Sequence, residues 1–398
     1  MYRQTLKRVI LFLILLFLMI QFYFVHTIVS DSFVVNKENN QVMENPDTWC
    51  SRLNTARSGL AKHLHITYPC ERLPPTATSA VVCMLTDGVE QSKDASRIVF
   101  TFLNYMEGAM ALGSSVRKHI DLSNTHMLLL IREGLELDPK DRVRLEASGW
   151  TVGTAPNIQV SPKYTPRFPR YKTTYTKITA IGMQEYKCVL LLDADTLVIG
   201  DIQELLTCNK FTLSQQHVAG TLDYYRGQWK YFNTGSVLWK TNNKEMERVY
   251  QLSQNENFMQ RFSSDQAFLN HVYPERTSDV KLNKQIIDGR NLTVADSGSV
   301  VTLPWDYNAQ THVEVQKPIF WNQHRNTVKI LHFTEKKGWQ CKERYKEVAL
   351  NEIPVPCDKS IDICYCQNAH LYWMELTSIK AFANRAVNAY NSGSQFKY

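Results

Sequence analysis

From Cys188 to Gly200 the chain reads Cys-Val-Leu-Leu-Leu-Asp193-Ala-Asp195-Thr-Leu-Val-Ile-Gly, an apolar run of strand length broken by two carboxylates and then resumed. No other segment of the 398 residues constrains the fold as tightly. Burying two unpaired carboxylates costs on the order of several kcal/mol, so something cationic has to meet them. In an extended backbone residues i and i+2 point to the same side. Asp193 and Asp195 can therefore converge on one ion or ligand, and the small Ala194 leaves room beside them. Carboxylate oxygens so placed suit Mg2+ or Mn2+, which keep positions open for substrate phosphates. A strand-end turn, where Asp is common, is the plainer alternative for a lone Asp-x-Asp.

Strand-length apolar runs at 98–103, 126–131, 188–192, 234–239 and 328–333 alternate with helical patterns at 107–118, 173–186 and 243–255. That alternation predicts an α/β domain with a mostly parallel central sheet flanked by helices. Ligands of open α/β sheets bind beyond the carboxyl ends of strands, which is where the two aspartates fall.

Ahead of this domain, residues 9–25 are apolar except Gln21, and Arg3, Lys7 and Arg8 precede them. Extended to residue 29, the segment predicts a transmembrane anchor with a cytosolic N-terminus; a cleaved signal peptide is the competing reading. The expected organisation is a cytosolic tail (1–8), an anchor (9–29), a stem and disulfide-held lead-in (30–95), a catalytic domain (96–340) and a cysteine-containing extension (341–398). This places the chain in the Golgi or ER membrane as a single-pass type II protein with its bulk in the lumen. Nine cysteines agree with an oxidising lumen: Cys188 reads as a buried free thiol in its strand and the other eight as disulfide-forming. Zinc at Cys357, Cys364 and Cys366 is the alternative, but their spacing fits no common zinc pattern. Asn291-Leu-Thr293 is a glycosylation sequon. A net charge of +7 points away from nucleic acid and leaves anionic nucleotides acceptable.

Several motifs then stand in a recognisable order: Thr101-Phe-Leu-Asn-Tyr105 with Gly108-Ala-Met-Ala-Leu-Gly-Ser-Ser115, Thr176-Lys177, Asp193-Ala-Asp195, Phe232-Asn-Thr-Gly-Ser236, Ser264-Asp265-Gln266, Leu303-Pro-Trp-Asp-Tyr-Asn308, and His332-Phe-Thr-Glu-Lys-Lys337-Gly-Trp339. Together they resemble the glycogenin-like glycosyltransferases of family 8, over roughly residues 97 to 340. The chain departs from the pattern in a shorter first loop and in a closing motif one residue short, with Gly338 in place of proline. Thr302 stands where glycogenins carry the tyrosine they glucosylate, and with the expected membrane anchor this argues against a cytosolic self-priming glycogenin.

The resemblance implies a GT-A fold and a retaining hexosyltransferase that moves a sugar from a nucleotide donor, a UDP-hexose, to a glycan or glycoconjugate. It implies Asp193, Asp195 and His332 as metal ligands, and one imidazole among oxygens favours Mn2+ over Mg2+. Lys177 and Lys337 would neutralise diphosphate charge as point cations, although solvated surface is the default for any lysine. Asp265 would orient sugar hydroxyls or Lys177, and Gln266 would lie near C1 of the sugar; an Asp favoured by a helix dipole is the bland reading of the first. Asn233 would bond the sugar, with Gly235 letting the backbone come close. Thr101, Asn104 and Tyr105 would hold the uridine, Tyr105 by stacking, a role that a core tyrosine imitates. A catalytically silent carbohydrate-binding protein and a metal-dependent nucleotide-sugar hydrolase are the competing functions. The segment 369–387 reads as a packing helix.

Overall fold

The computed structural model describes residues 64–73, 76–86, 95–160, 173–208, 218–225, 227–259, 264–273, 300–341 and 366–394, with Leu60, Tyr171, Phe262, Cys364 and Phe396 besides. The central sheet begins with β1 (Ser79–Leu85), which lies parallel between β2 (Thr125–Arg132) and β4 (Cys188–Leu192). Strand β3 (Thr151–Ala155) extends it in parallel beyond β2. On the other side of β4 the direction changes. There β7 (Gln228–Lys240) runs antiparallel to β4, β6 (Val218–Tyr225) antiparallel to β7, and β8 (Val300–Thr302) parallel to β6. The order is β3-β2-β1-β4-β7-β6-β8, and a second sheet joins β5 (Thr196–Val198), β10 (Ile330–His332) and β9 (Ala309–Gln310) in the order β5-β10-β9.

Every residue of β1 and of β4 is buried. Side chains alternate across a strand, so Val81, Cys83 and Leu85 enter one core cluster while Ala80, Val82 and Met84 enter the other. Both faces are thus covered, and an unbroken apolar sequence is what such strands require. The first face carries α1 (Ala95–Arg117), α2 (Pro139–Ala147) and the long C-terminal α7 (Gln367–Asn391). The opposite face carries the 3-10 segment Thr174–Gly182, α3 (Asn243–Gln254) and α4 (Asp265–Val272). The short α5 (His312–Gln316) and α6 (Pro318–His324) lie between β9 and β10 in the chain. Helix starts follow ordinary capping chemistry: Asp138 accepts from Lys140 N at 2.7 Å ahead of Pro139, and Asn242 accepts from Glu245 N at 3.0 Å.

The α/β expectation holds, with corrections. The sheet is mixed, because the β6–β7 hairpin adds two antiparallel neighbours. The run at 98–103 is helical, part of α1, and the strand that opens the sheet is β1, within the stretch expected to be stem and lead-in. A short apolar run carries no periodicity that separates strand from buried helix, and here the larger structure decided. Cys188 is not free: it bonds Cys208, and among the described residues the free buried thiol is Cys83. Cys341 bonds Cys364, and Cys70 and Cys366 are also disulfide-bonded. The single-pass type II membrane placement is also corrected. Among the described residues no helix is long and apolar enough to cross a membrane, and the 9–29 segment lies outside them, as does the 291–293 sequon.

Candidate active site

Strand β4 ends at Leu192, and the chain turns at once: Thr196 N and its hydroxyl both bond Asp193 O, at 3.0 and 2.7 Å. Asp193 N in turn donates to Gly235 O of β7 at 2.8 Å. The turn feeds β5, whose partner β10 sets His332 opposite Thr196, and Phe333 N donates to Asp195 O at 2.9 Å. Sheet pairing therefore brings the distant His332 to the two aspartates. Helix α1 closes the back of the turn: a Cβ on Gly108 would lie 2.3 Å from Ala194 O, so only glycine permits that approach.

Donor atoms of Asp193, Asp195 and His332 all lie within 4.8 Å of one another. His332 Nδ1 is 2.9 Å from Asn308 Oδ1, which the hydrogen-bond network assigns as Nδ1–H donating. The Asn308 amide donates at 3.0 Å to Asn233 Oδ1, which also accepts from Gly235 N at 2.9 Å. Fixed this way, the ring directs the lone pair of Nε2 toward Asp195 Oδ1, 3.4 Å away. Orientation of an imidazole through its second nitrogen is the usual arrangement for a metal-binding histidine. The ring lies directly over Gly235, where any Cβ would stand 2.1 Å from Cε1.

Two lysines flank the triad. Lys177 Nζ is 2.7 and 2.9 Å from the Asp193 oxygens and 3.4 Å from Asp265 Oδ2. Lys337 Nζ bonds the Asp195 carboxylate and the carbonyls of Phe333 (2.9 Å) and Thr334 (3.0 Å). Burial alone would lower the Lys177 ammonium's pKa, but Asp193 and Asp265 outweigh it and the pKa rises. For Asp195 burial pushes upward, and the Lys337 ammonium overrides it, holding the carboxyl well below its usual range. Burial raises Asp193, with Lys177 opposing and Asp195 adding to the rise, as expected of carboxylates sharing a site. Three carboxylates and two ammoniums leave the cluster one negative charge in excess with the histidine neutral. A divalent cation fits that balance and would turn it positive for a diphosphate.

Asp265 opens α4 behind the cap Ser264, which accepts from Ala267 N at 3.2 Å. Its Oδ2 accepts from the Thr234 hydroxyl at 3.3 Å. Gln266 accepts from Thr234 N at 3.4 Å and donates to Asp223 at 2.8 Å. Asn270 braces α4 on β7 by bonding both the N–H and the carbonyl of Phe232, at 2.7 and 2.8 Å.

The structure thus brings together Asp193, Asp195, His332, Lys177, Lys337, Asn233, Gly235, Asp265 and Gln266. It does not form the strand-and-loop base site expected at Thr101, Asn104 and Tyr105, because all three lie in α1. Tyr105 meets Trp339 edge-on at 4.9 Å, Asn104 is half-buried, and the Thr101 side chain is outside the described set. Residues 87–94, which follow β1, are outside it too. Sequence reasoning missed Asn308, although it closes a quoted motif, and Asp223. The latter ends the apolar run of β6 as Asp193 ends that of β4, a signal that was there to read.

No family model matches the chain. Inositol phosphorylceramide glucuronosyltransferase 1 of Arabidopsis thaliana is 25% identical over 256 residues, 62% of this chain and 42% of that protein. The chain therefore spans less than half the length of this curated relative. Among solved structures, the glycosyltransferase GlyE of Streptococcus pneumoniae TIGR4 matches at TM-score 0.43 and 16% identity, over 81% of this chain and 65% of that one. The galactosyltransferase LgtC matches at TM-score 0.40 and 14% identity, over 75% and 95%. The curated relative is a glycosyltransferase, in line with the resemblance read from the motifs.

Proposed function

We propose that this chain is a GT-A glycosyltransferase that moves a hexose or related sugar from a UDP-sugar to a glycan or glycoconjugate hydroxyl, with retention at C1 and a divalent metal on the diphosphate. The observation that carries the reading is the ligand triad of Asp193, Asp195 and His332, with a lysine against each aspartate. A divalent ion held there, Mn2+ before Mg2+, supplies electrostatic stabilisation of the charge that develops on the leaving diphosphate. The chain's own groups do the rest. Asn308 holds the His332 ring to one tautomer. Lys337 and Lys177 place two further cations at the edge of the triad, where phosphate oxygens gain from them. Asp265 and Asn233 present polar groups to sugar hydroxyls. Gln266 is pinned between Thr234 N and Asp223, and by the resemblance it would lie near C1 of the sugar.

The test is a donor screen with purified protein and Mn2+, reading nucleotide release with and without acceptor. The name of the curated relative adds a glucuronosyl donor and an inositol phosphorylceramide acceptor to the panel. Release that depends on acceptor and on Mn2+, and that falls about 100-fold or more in Asp195→Ala, is the expected result. Full activity in Asp195→Ala would sink the metal reading, and equal release without acceptor would make the protein a hydrolase.

A further inference from the structure

The C-terminal helix α7 has no part in the sheet, yet it grips the loop that carries Lys337. The Trp373 indole N–H donates to Gly338 O at 3.0 Å. The Tyr372 ring lies so close over Gly338 that a Cβ there would stand 2.5 Å from two of its carbons, and it meets Phe333 at 5.3 Å between ring centroids. On the other side Trp339 packs on Tyr105 and over Gly108, where a Cβ would lie 2.7 Å from the indole. A disulfide from Cys341 to Cys364 fastens the loop's exit to the segment leading into α7. Within the loop, Lys337 N donates to Gln340 Oε1 at 2.7 Å and Gln340 N returns a bond to Lys337 O at 2.9 Å. Lys337 Nζ sits on two carbonyls of the same loop, so whatever fixes residues 333–338 fixes the ammonium.

We propose that α7 is a clamp for the 333–338 loop, with Trp373 and Tyr372 acting as positioning residues that hold Lys337 where it meets the diphosphate. This rests on the phosphate role given to Lys337 above, and two measurements keep the ideas apart. Hydrogen exchange of the 335–340 amides tests the clamp itself. In Trp373→Phe, which keeps an aromatic ring but loses the donor and part of the indole's bulk, these amides should exchange about tenfold faster with the sheet amides unchanged, as expected for a local opening. Unchanged exchange overturns the clamp. The second measurement is calorimetric binding of UDP with Mn2+ to the unaltered protein, Trp373→Phe, Lys337→Met and the double variant. Trp373→Phe should weaken binding about tenfold alone, the scale of one lost buried hydrogen bond, and less than twofold when Lys337 is already gone. An equal loss in both backgrounds means that Trp373 acts through something else and overturns the positioning role. Full affinity in Lys337→Met, or no UDP binding by the unaltered protein, defeats the phosphate role instead, while exchange still decides the clamp. Should Trp373→Phe fail to fold, Gly338→Ala disturbs the same contact from the loop side.

Discussion

Replacing Gly235 by alanine should remove the metal site without touching a single ligand atom. The added Cβ would stand 2.1 Å from His332 Cε1, 2.7 Å from Nδ1 and 2.8 Å from Nε2, against an ordinary contact of 3.4–4 Å. The ring must therefore retreat by roughly 1 Å or more, or the β7 backbone must move. Retreat is resisted on several sides. Nδ1 is bonded to Asn308 Oδ1, Nε2 faces Asp195, and the His332 carbonyl accepts from Thr311 N at 2.9 Å. Metal-ligand distances tolerate only about 0.2 Å, so a shift of that size loses the imidazole as a ligand. Mn2+ affinity should fall about 10- to 100-fold, and overpacking should cost about 1–3 kcal/mol of stability.

Titration calorimetry with Mn2+ and thermal unfolding on the same preparations read the two effects. A double variant separates steric displacement from general damage: with His332→Ala in place the collision has no partner, and Gly235→Ala should then be nearly neutral for stability. Mn2+ affinity within twofold of the unaltered protein, or a stability cost that persists in the His332→Ala background, would refute the reasoning.

Asn308→Ala should lower Mn2+ affinity about tenfold or more while leaving all three ligands in place, because the His332 ring loses its orienting acceptor; calorimetry showing no change would exclude that role. Burial pushes the Glu314 carboxyl up to about 7 from 4.5, with Asn368 and Arg325 opposing. The unfolded chain binds fewer protons than the folded one between those values, so stability falls as pH rises through that window, by roughly 2–4 kcal/mol. Glu314→Gln should therefore stabilise the protein at pH 8 far more than at pH 4, and an equal shift in melting temperature at both would contradict the assignment. The Tyr372 hydroxyl is buried with no hydrogen-bond partner among the described residues. Tyr372→Phe should accordingly raise stability by about 1 kcal/mol in chemical denaturation, and a loss of that size would show that the hydroxyl is engaged.

How much of this was legible follows from the range of the signal. Strand β4 and its two aspartates could be read because the apolar run, the break and the small residue between are all local. His332 and Lys337 became readable only through motif order, since Lys337 and Asp195 stand 142 positions apart and nothing in composition joins them. The mixed sheet had a local clue, since Gly227, at φ +82°, sits at the tip where β6 turns back into β7. The helical fate of 98–103 had none: Ile-Val-Phe-Thr-Phe-Leu has strand composition, and it lies in a helix whose downstream face packs on the sheet.

The departure at Gly338 shows what a sequence pattern can flag without explaining. A glycine in a tight loop ordinarily suggests a left-handed backbone, but Gly338 is absent from the residues with positive φ. Its reason is steric instead: the Tyr372 ring occupies the space that a side chain at 338 would need. The two positions are related only by the packing of α7 on the loop, so the extension and the glycine have to be read together. A side chain at 338 and the tyrosine at 372 exclude each other, and it follows that Gly338→Ala should be better tolerated once Tyr372 is shortened to leucine. Melting temperatures of the two single variants and the double variant would decide this, and strict additivity would mean that the ring is not what keeps position 338 bare.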